Sequence, residues 1–183
     1  MEKSIKDLFI QWQNELMEPG IPETIHKIVE SFPEGTTFST SFSYEDQIIT
    51  DIIAKTGLPV SIFTLDTGRL FPETYSTWSR TLEQYPLKIK AYYPEPAQLE
   101  AFVELKGPNS FYESVENRKD CCFIRKVEPL KRALKGKSVW ITGLRAEHSP
   151  SRNDLTIFEW DEVNQVIKFN PLLHWSTGEV IQY

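Results

Sequence analysis

Short segments rich in β-branched residues alternate along this chain with longer segments whose apolar residues recur at helical spacing. The pattern predicts strands at 36–38, 60–65, 89–92 and 138–142, with two further short strands at 156–160 and 166–169. Parallel strands need long crossover connections, which are usually helices. The alternation therefore predicts an α/β fold with three layers, a mainly parallel sheet between flanking helices.

The length of 183 residues fits one domain, with N-terminal helices in 1–35 and the α/β core in 36–183. Ser176 and Glu179 have the spacing of a capping box, so a helix should begin there. The sequence stops at Tyr183, well before a helix of ordinary length would end. We therefore expect the chain to be cut inside an element, with further residues missing downstream.

The composition argues against a membrane or a nucleic-acid partner. No run of 18 apolar residues is present and the N-terminus lacks the apolar core of a signal peptide, which predicts a cytoplasmic protein. The net charge is −6, yet residues 118–137 carry eight basic and two acidic side chains. Local basicity on an acidic chain favours a small anionic ligand or cluster over nucleic acid.

A serine-rich turn joins the first predicted strand to a helix. Ser39, Ser41 and Ser43 alternate there, and Glu45 and Asp46 fall in the first helical turn, where carboxylates favour the helix dipole. Unpaired backbone N–H groups at a helix start bind anions. The turn lacks the Gly-Lys-Ser/Thr of a P-loop. The serine-rich turn therefore predicts an anion site that is not a P-loop.

Two more polar loops follow predicted strands, at 66–69 and at 143–152. The second contains Arg145, Ser149 and Arg152, and arginine offers a planar fork to phosphate or sulfate oxygens. The carboxyl ends of parallel strands meet at one edge of a sheet, where ligands of α/β proteins bind. We therefore expect both loops to approach the serine turn.

The two cysteines, Cys121 and Cys122, are adjacent, which disfavours a disulfide between them. Inert thiols and metal ligands both remain open. Basic neighbours favour the thiolate that binds metal. Successive helical side chains diverge by about 100°, so a shared metal site would require a local distortion. A cubane iron–sulfur cluster uses four thiolates, and this sequence has two cysteines.

Four blocks, at 41–47, 65–70, 119–130 and 142–152, together resemble the assimilatory adenylyl-sulfate (APS) and phosphoadenylyl-sulfate (PAPS) reductases. The resemblance implies an adenine-nucleotide α-hydrolase-like fold with a modified pyrophosphatase loop at 39–46. It also implies that Leu65 and Gly143 contact the adenine through their backbones. The predicted substrate-binding residues are Ser39, Ser41, Ser43, Glu45, Asp46, Leu65, Asp66, Thr67, Gly68, Arg69, Gly143, Arg145, Ser149 and Arg152.

The resemblance further implies that Cys121 and Cys122 are the first half of a [4Fe-4S] site and that Lys126 links cluster and substrate charge. The implied activity is thiol-dependent reduction of APS to sulfite and AMP in sulfate assimilation and cysteine biosynthesis. It proceeds through an S-sulfocysteine, and thioredoxin or a similar donor supplies the thiol. The nucleophilic cysteine and a second Cys-x-x-Cys are expected downstream of Tyr183, so we expect this chain alone neither to complete the reaction nor to hold a full cluster.

Three alternatives remain: a PAPS reductase or an enzyme that accepts both substrates, a nucleotide-binding remnant without redox chemistry, and an enzyme that cleaves ATP between its α and β phosphates. The adjacent cysteines disfavour strict PAPS use, and the block at 119–130 disfavours ATP cleavage. The thiol donor and a homo-oligomeric state are left open.

Overall fold

The computed structural model of the protein describes residues 4–15, 20–149 and 154–183. These residues form a six-stranded sheet in the order β3-β2-β1-β4-β6-β5. All neighbouring strands are parallel except β5, which runs antiparallel to β6. The strands are β1 (Thr36–Ser39), β2 (Ser61–Leu65), β3 (Ile89–Tyr92), β4 (Val139–Ile141), β5 (Phe158–Asp161) and β6 (Val166–Phe169).

Helices connect the strands as the periodicity predicts. They are α1 (Ile5–Glu15), α2 (Ile21–Ser31), α3 (Tyr44–Thr56), α4 (Pro72–Gln84), α5 (Pro96–Lys106), α6 (Val115–Cys122), α7 (Glu128–Leu134) and α8 (Thr177–Gln182). The predicted capping box at the start of α8 is confirmed, because Ser176 and Glu179 exchange side-chain and backbone hydrogen bonds. None of the helices in the described residues is long and apolar enough to cross a lipid bilayer.

Apolar side chains cover both faces of the sheet. Ile62 and Phe63 are consecutive on β2 and point to opposite faces, and they belong to two separate buried clusters. Ile62 packs with the apolar faces of α2 and α3, whereas Phe63 packs with Leu134 of α7. Burial on both sides is what a parallel sheet requires. The predicted three-layer α/β architecture is therefore confirmed.

The helix that follows the cysteines contains a feature that the apolar period does not predict. The sequence predicts that Pro129 kinks or restarts this helix, and α7 does start beside it, at Glu128, with Pro129 in its first turn. Directly before α7 the structure also shows a π-helical turn, Phe123–Val127. Proline has no N–H, and its ring clashes with the carbonyl four residues earlier, here that of Arg125, and a wider turn accommodates this clash while the backbone remains helical. The sequence at 111–118 predicts one short helix, but the structure divides it into a 3₁₀ turn at Ser110–Tyr112 and the start of α6.

The strand order places three loops next to each other. Strand β1 lies between β2 and β4. From β1 the chain adds β2 and β3 on one side, and it then crosses to the other side of β1 to form β4. Such a switch point opens a crevice at the carboxyl ends of the strands. The segments that follow β1, β2 and β4 meet there.

Candidate functional site

A cavity of about 480 Å³ opens at this switch point, within the size range of small-molecule sites. It brings together nine of the residues predicted from sequence, namely Ser39, Ser41, Ser43, Glu45, Asp46, Leu65, Thr67, Lys126 and Gly143. Sequence reasoning missed six other lining residues: Thr40, Thr64, Leu70, Thr74, Leu144 and His148. Leu70, Leu144 and His148 lie inside the blocks at 65–70 and 142–152, and Thr40 lies inside the serine-rich turn, but the sequence predicts no role for any of the six.

Asp46 holds the serine turn in its conformation. Its buried Oδ2 accepts hydrogen bonds from Ser41 N at 2.6 Å and from Ser41 Oγ at 2.7 Å. Its own backbone N–H donates to Ser43 Oγ, the N-cap of α3, at 3.4 Å. Burial raises the pKa of Asp46, and the hydrogen bonds from Ser41 offset this only in part. Ser41 therefore serves the loop, and its two donors are already used.

Gly143 follows β4 and lies against this carboxylate. A Cβ added to Gly143 would stand 2.1 Å from Asp46 Oδ1, far inside van der Waals contact. Only glycine permits so close an approach of the two loops. Gly143 thus has a steric role in this chain, apart from the backbone contact with adenine that the resemblance implies.

Phe42 occupies a conformation that non-glycine residues rarely adopt. Its φ is 64°, in the left-handed region, and its ring is buried and stacked on Trp78 with centroids 5.4 Å apart. Its N–H donates to Thr40 Oγ1 at 3.0 Å. Strain of this kind often accompanies a functional loop, and here the aromatic stack and the hydrogen bond hold it.

Several donors on the cavity wall stay available for a ligand. Ser39 Oγ accepts a hydrogen bond from Trp140 Nε1 at 2.8 Å, and Thr40 Oγ1 accepts from Phe42, so each hydroxyl keeps its own proton. Among the described residues, none forms an ion pair or a hydrogen bond with Lys126 Nζ. The wall therefore offers two hydroxyl donors and one ammonium to an anion.

Arg145 does not line the cavity, although the sequence predicts that it does. Its guanidinium is buried, with Nε 2.8 Å from Glu45 Oε1, and it also pairs with Glu147 and donates to Trp175 O at 3.0 Å. Burial alone would raise the pKa of Glu45, but hydrogen bonds from its own backbone, from Arg145 and from Ser43 lower it. The structure therefore makes Arg145 a support for Glu45, not an anion fork.

The turn at 66–69 is divided between two roles. Asp66 is buried and accepts hydrogen bonds from Gly68 N at 2.8 Å and from the Tyr75 hydroxyl at 2.9 Å, which shapes the turn. Gly68 has φ 69°, and Arg69 donates to Pro108 O at 2.8 Å. Asp66, Gly68 and Arg69 thus stay outside the cavity lining, while Leu65 and Thr67 belong to it.

The sequence predicts two more ligand-binding residues in the 143–152 loop, Ser149 and Arg152, and neither is among the described residues that line the cavity. Ser149 follows the 3₁₀ turn Ala146–His148 and donates its N–H to Ala146 O at 3.2 Å, outside the cavity lining. Arg152 lies outside the described residues.

A second cavity of about 250 Å³ adjoins the first and shares Thr67 and Lys126 with it. Its lining consists of Thr67, Arg69, Phe111, Arg118, Cys121, Cys122, Arg125 and Lys126. Arg125 is buried and donates to Thr67 O at 2.6 Å, but its buried Nε has no partner among the described residues. The two cysteines end α6, directly before the π-helical turn, so a distorted helical segment lies next to them.

The two thiols fit only part of a cubane cluster. They border one cavity, and Cys121 is half-buried while Cys122 is exposed. Four thiolates hold such a cluster, and within the described residues no group of three or more His, Cys, Asp or Glu side chains could hold a metal ion. The surrounding cations and the unpartnered Arg125 Nε suit an anionic group.

Comparison with known proteins shows similarity over most of the chain. A model of the phosphoadenosine phosphosulfate reductase domain matches residues 35–183. The adenosine 5'-phosphosulfate reductase of Allochromatium vinosum is 46% identical over 147 residues, covering 80% of this chain and 57% of that protein. The enzyme of the same name from Neisseria meningitidis serogroup B is 42% identical over 164 residues, covering 89% and 66%. This chain therefore spans a little over half to two thirds of these relatives.

Solved structures show the same fold. The phosphoadenylyl-sulfate reductase of Candida auris, in a phosphate complex, superposes with a TM-score of 0.81 at 28% identity, covering 100% of this chain and 86% of that one. The FMN adenylyltransferase of Candida glabrata, with ATP, gives 0.55 at 15% identity, covering 99% and 56%. The second likeness concerns the fold alone. The predicted adenine-nucleotide α-hydrolase-like fold is thereby confirmed.

Proposed function

Because the chain belongs to the phosphoadenosine phosphosulfate reductase domain family, we propose that its cavity binds adenylyl sulfate (APS). The bound APS is reduced to sulfite and AMP in sulfate assimilation. Relatives at 41–49% identity that are named adenosine 5'-phosphosulfate reductase support this substrate. Since the chain covers 57% of the Allochromatium protein, the reductase activity is proposed for the whole protein of which these residues form a part.

The cavity lining carries this proposal, because it contains groups that suit both parts of APS. The Ser39 and Thr40 hydroxyls, the first turn of α3 and Lys126 line the cavity and can neutralise a phosphosulfate. Leu65 ends β2 and Gly143 follows β4, the two strands that flank β1, and their backbone groups can meet an adenine. We assign the phosphosulfate to the first set and the base to the second.

The roles of the serines differ from those that the resemblance implies. Ser41 donates both of its protons to Asp46, so we assign it to the shape of the loop. Ser39 and Thr40 retain hydroxyl protons and become the proposed ligand donors. Thr40 is an addition to the set predicted from sequence.

Reduction needs a thiolate. In the proposed reaction a cysteine thiolate attacks the sulfur of APS, a sulfur–sulfur bond forms, the sulfur–oxygen bond to AMP breaks, and AMP leaves. A second thiol, from thioredoxin or a similar donor, then forms a disulfide with the cysteine and releases sulfite. Both cysteines of this sequence are assigned elsewhere, so the reacting thiol is not one of them. The donor and the S-sulfocysteine stay predictions from the resemblance, and a cytoplasmic location stays a prediction from the composition.

We assign Cys121 and Cys122 as two of the thiolate ligands of a [4Fe-4S] cluster. When bound, such a cluster supplies iron–sulfur charge close to the substrate site. Lys126 lines both cavities and offers its cation to each of them. Arg125 holds the π-helical turn to the loop after β2 through Thr67 O, and Thr67 lines both cavities.

Iron retention tests this assignment. After anaerobic incubation with ferrous iron and sulfide and then desalting, we expect the chain to retain less iron than a full cubane per molecule. Cys121→Ser and Cys122→Ser should each lower that amount, whereas Val115→Ser, an exposed change on the same helix, should not. Equal iron retention in all variants, or none in the wild type, would remove the cysteines from the metal site.

PAPS is the second candidate substrate. The Candida auris structure that superposes at 28% identity is named a PAPS reductase, and the matching domain carries the PAPS name. APS and PAPS differ by a 3′-phosphate, which needs additional cations. Lys126 is the single Lys or Arg among the described residues that line the nucleotide cavity. That charge balance favours APS.

Calorimetric titration of the chain with APS, PAPS and ATP tests the proposed substrate. We expect one APS per chain, bound more tightly than PAPS or ATP. Lys126→Met should weaken APS binding by about tenfold or more, as loss of a charge-assisted hydrogen bond does. Lys131→Met, which removes a cation from α7 outside this cavity, should leave it unchanged. Absence of APS binding, or equal binding by Lys126→Met, would contradict the proposal.

A further inference from the structure

His148 lines the nucleotide cavity, and although it lies in the block at 142–152, the sequence predicts no role for it. It ends the 3₁₀ turn Ala146–His148, and 43% of its side chain is exposed. Its Nε2 lies 2.8 Å from Arg145 Nη2 and 3.2 Å from Glu45 Oε1. Both neighbours belong to the buried pair beneath the cavity wall.

These contacts determine which ring nitrogen carries a proton. Arginine only donates hydrogen bonds and stays protonated, so the neutral ring must accept at Nε2 and carry its proton on Nδ1. A protonated ring would donate from Nε2 to Glu45 and would still carry a proton on Nδ1. In both forms Nδ1–H is a donor. Within the described part of the chain, no residue accepts a hydrogen bond from it.

The charge of the cavity makes such a donor useful. Glu45 and Asp46 line it together with Lys126, and the cation of Arg145 is already paired with Glu45 and Glu147. Two carboxylates disfavour an anionic ligand in this cavity. Its binding therefore depends on neutral or cationic hydrogen-bond donors in the lining. The imidazole N–H of His148 adds one such donor to the residues that line the cavity.

We propose that His148 is a ligand-binding residue of this cavity and donates Nδ1–H to an anionic oxygen of the bound nucleotide. Arg145 acts as its positioning residue by holding Nε2. The inference rests on the proposed function, because it takes the ligand to be an adenylyl anion. It predicts that His148 distinguishes nucleotides from the uncharged nucleoside.

Titration of His148 variants with APS and with adenosine tests this. His148→Leu should weaken APS binding by about tenfold and leave adenosine binding unchanged, because adenosine has no anionic oxygen. His148→Asn, whose side-chain N–H lies near the position of Nδ1, should stay within about threefold of the wild type. His26→Leu, an exposed histidine on α2 outside this cavity, should bind as the wild type does.

The outcomes separate this inference from the proposed function. A wild-type chain that binds APS while His148→Leu binds it equally well would overturn the role of His148 alone. If His148→Leu loses the same affinity for APS and for adenosine, and His148→Asn does not restore it, the role of His148 is purely structural. That result would also overturn the proposed role of His148 as a ligand donor. A wild-type chain that binds no APS would overturn both. Urea unfolding of each variant confirms that the comparison is made between folded proteins.

Discussion

Arg145 Nε lies 2.8 Å from Glu45 Oε1, with only 4% and 7% of the two side chains exposed. The pair joins the loop after β4 to the first turn of α3, across 100 positions of sequence. The same guanidinium donates to Trp175 O and to Thr177 Oγ1 at the start of α8. One arginine therefore connects the cavity wall with the last helix.

Replacing Arg145 should be strongly destabilising. In Arg145→Met the Glu45 carboxylate stays buried without its partner, and breaking a buried pair costs about 3–5 kcal/mol. Urea unfolding measures this, with Arg80→Met, an exposed arginine on α4, as the control. The double variant Glu45→Met/Arg145→Met should lose less than Arg145→Met alone. A loss below about 1 kcal/mol in Arg145→Met would contradict the arrangement.

Gly143→Ala should distort the cavity. The new Cβ would overlap Asp46 Oδ1, and overpacking of this kind costs about 1–3 kcal/mol. We expect lower stability in urea and weaker APS binding. Gly178→Ala is the matched control, since a Cβ there meets nothing closer than 3.8 Å. In an Asp46→Ala background the Gly143→Ala change should cost less, and strictly additive effects would argue against the clash.

The buried carboxyl of Asp46 predicts a pH dependence of stability. Burial raises its pKa above the ordinary value of 3.8, so the folded state holds this proton more tightly than the unfolded state. The stability that it contributes is present at low pH and is lost as the pH rises through the raised value. Asp46→Asn keeps an acceptor for Ser41 and has no such loss.

The free energy of unfolding, measured in urea from about pH 4 to pH 7, should therefore increase for Asp46→Asn relative to the wild type as the pH rises. Asp154→Asn, a change at an exposed aspartate, provides the control. If the difference in unfolding free energy between Asp46→Asn and the wild type stays constant or shrinks with rising pH, burial does not raise the pKa of Asp46 as described.

Tyr183 predicts a second pH dependence, at alkaline pH. Its hydroxyl donates to Asp51 Oδ2 at 2.7 Å, and burial together with this carboxylate raises its pKa to about 12. The phenol thus contributes stability below its ordinary value of 10.0, and this is lost as the pH rises towards 12. Between pH 9 and pH 11 the wild type should lose more stability than Tyr183→Phe. Tyr112→Phe, at an exposed position, should follow the wild type, and parallel curves for all three would refute the effect.

Local patterns were sufficient to predict the sheet and the loops that line the cavity. Strand and helix periodicities depend on near neighbours, and parallel strands bring their following loops to one edge, so Ser39, Leu65 and Gly143 could be placed together. The role of each polar residue was harder to predict. Arg145 and Asp66 have the right residue types for a ligand, but their partners, Glu45 and Tyr75, lie on other elements.

Two backbone features also have no sequence signal of their own. The π-helical turn depends on how the helix accommodates Pro129 against the carbonyl of Arg125, which a simple apolar period does not describe. The left-handed Phe42 is maintained by a stack on Trp78 of another helix. The conformation of Phe42 depends on a tertiary contact, and so does the exposure of His148 to the cavity.

A crystal structure of this chain with bound APS tests the central claim most directly. The account predicts the phosphosulfate within hydrogen-bond distance of the Ser39 and Thr40 hydroxyls and Lys126 Nζ, with the adenine against Leu65 and Gly143. APS bound in another cavity, or in this one with its phosphosulfate turned away from Lys126, would contradict it.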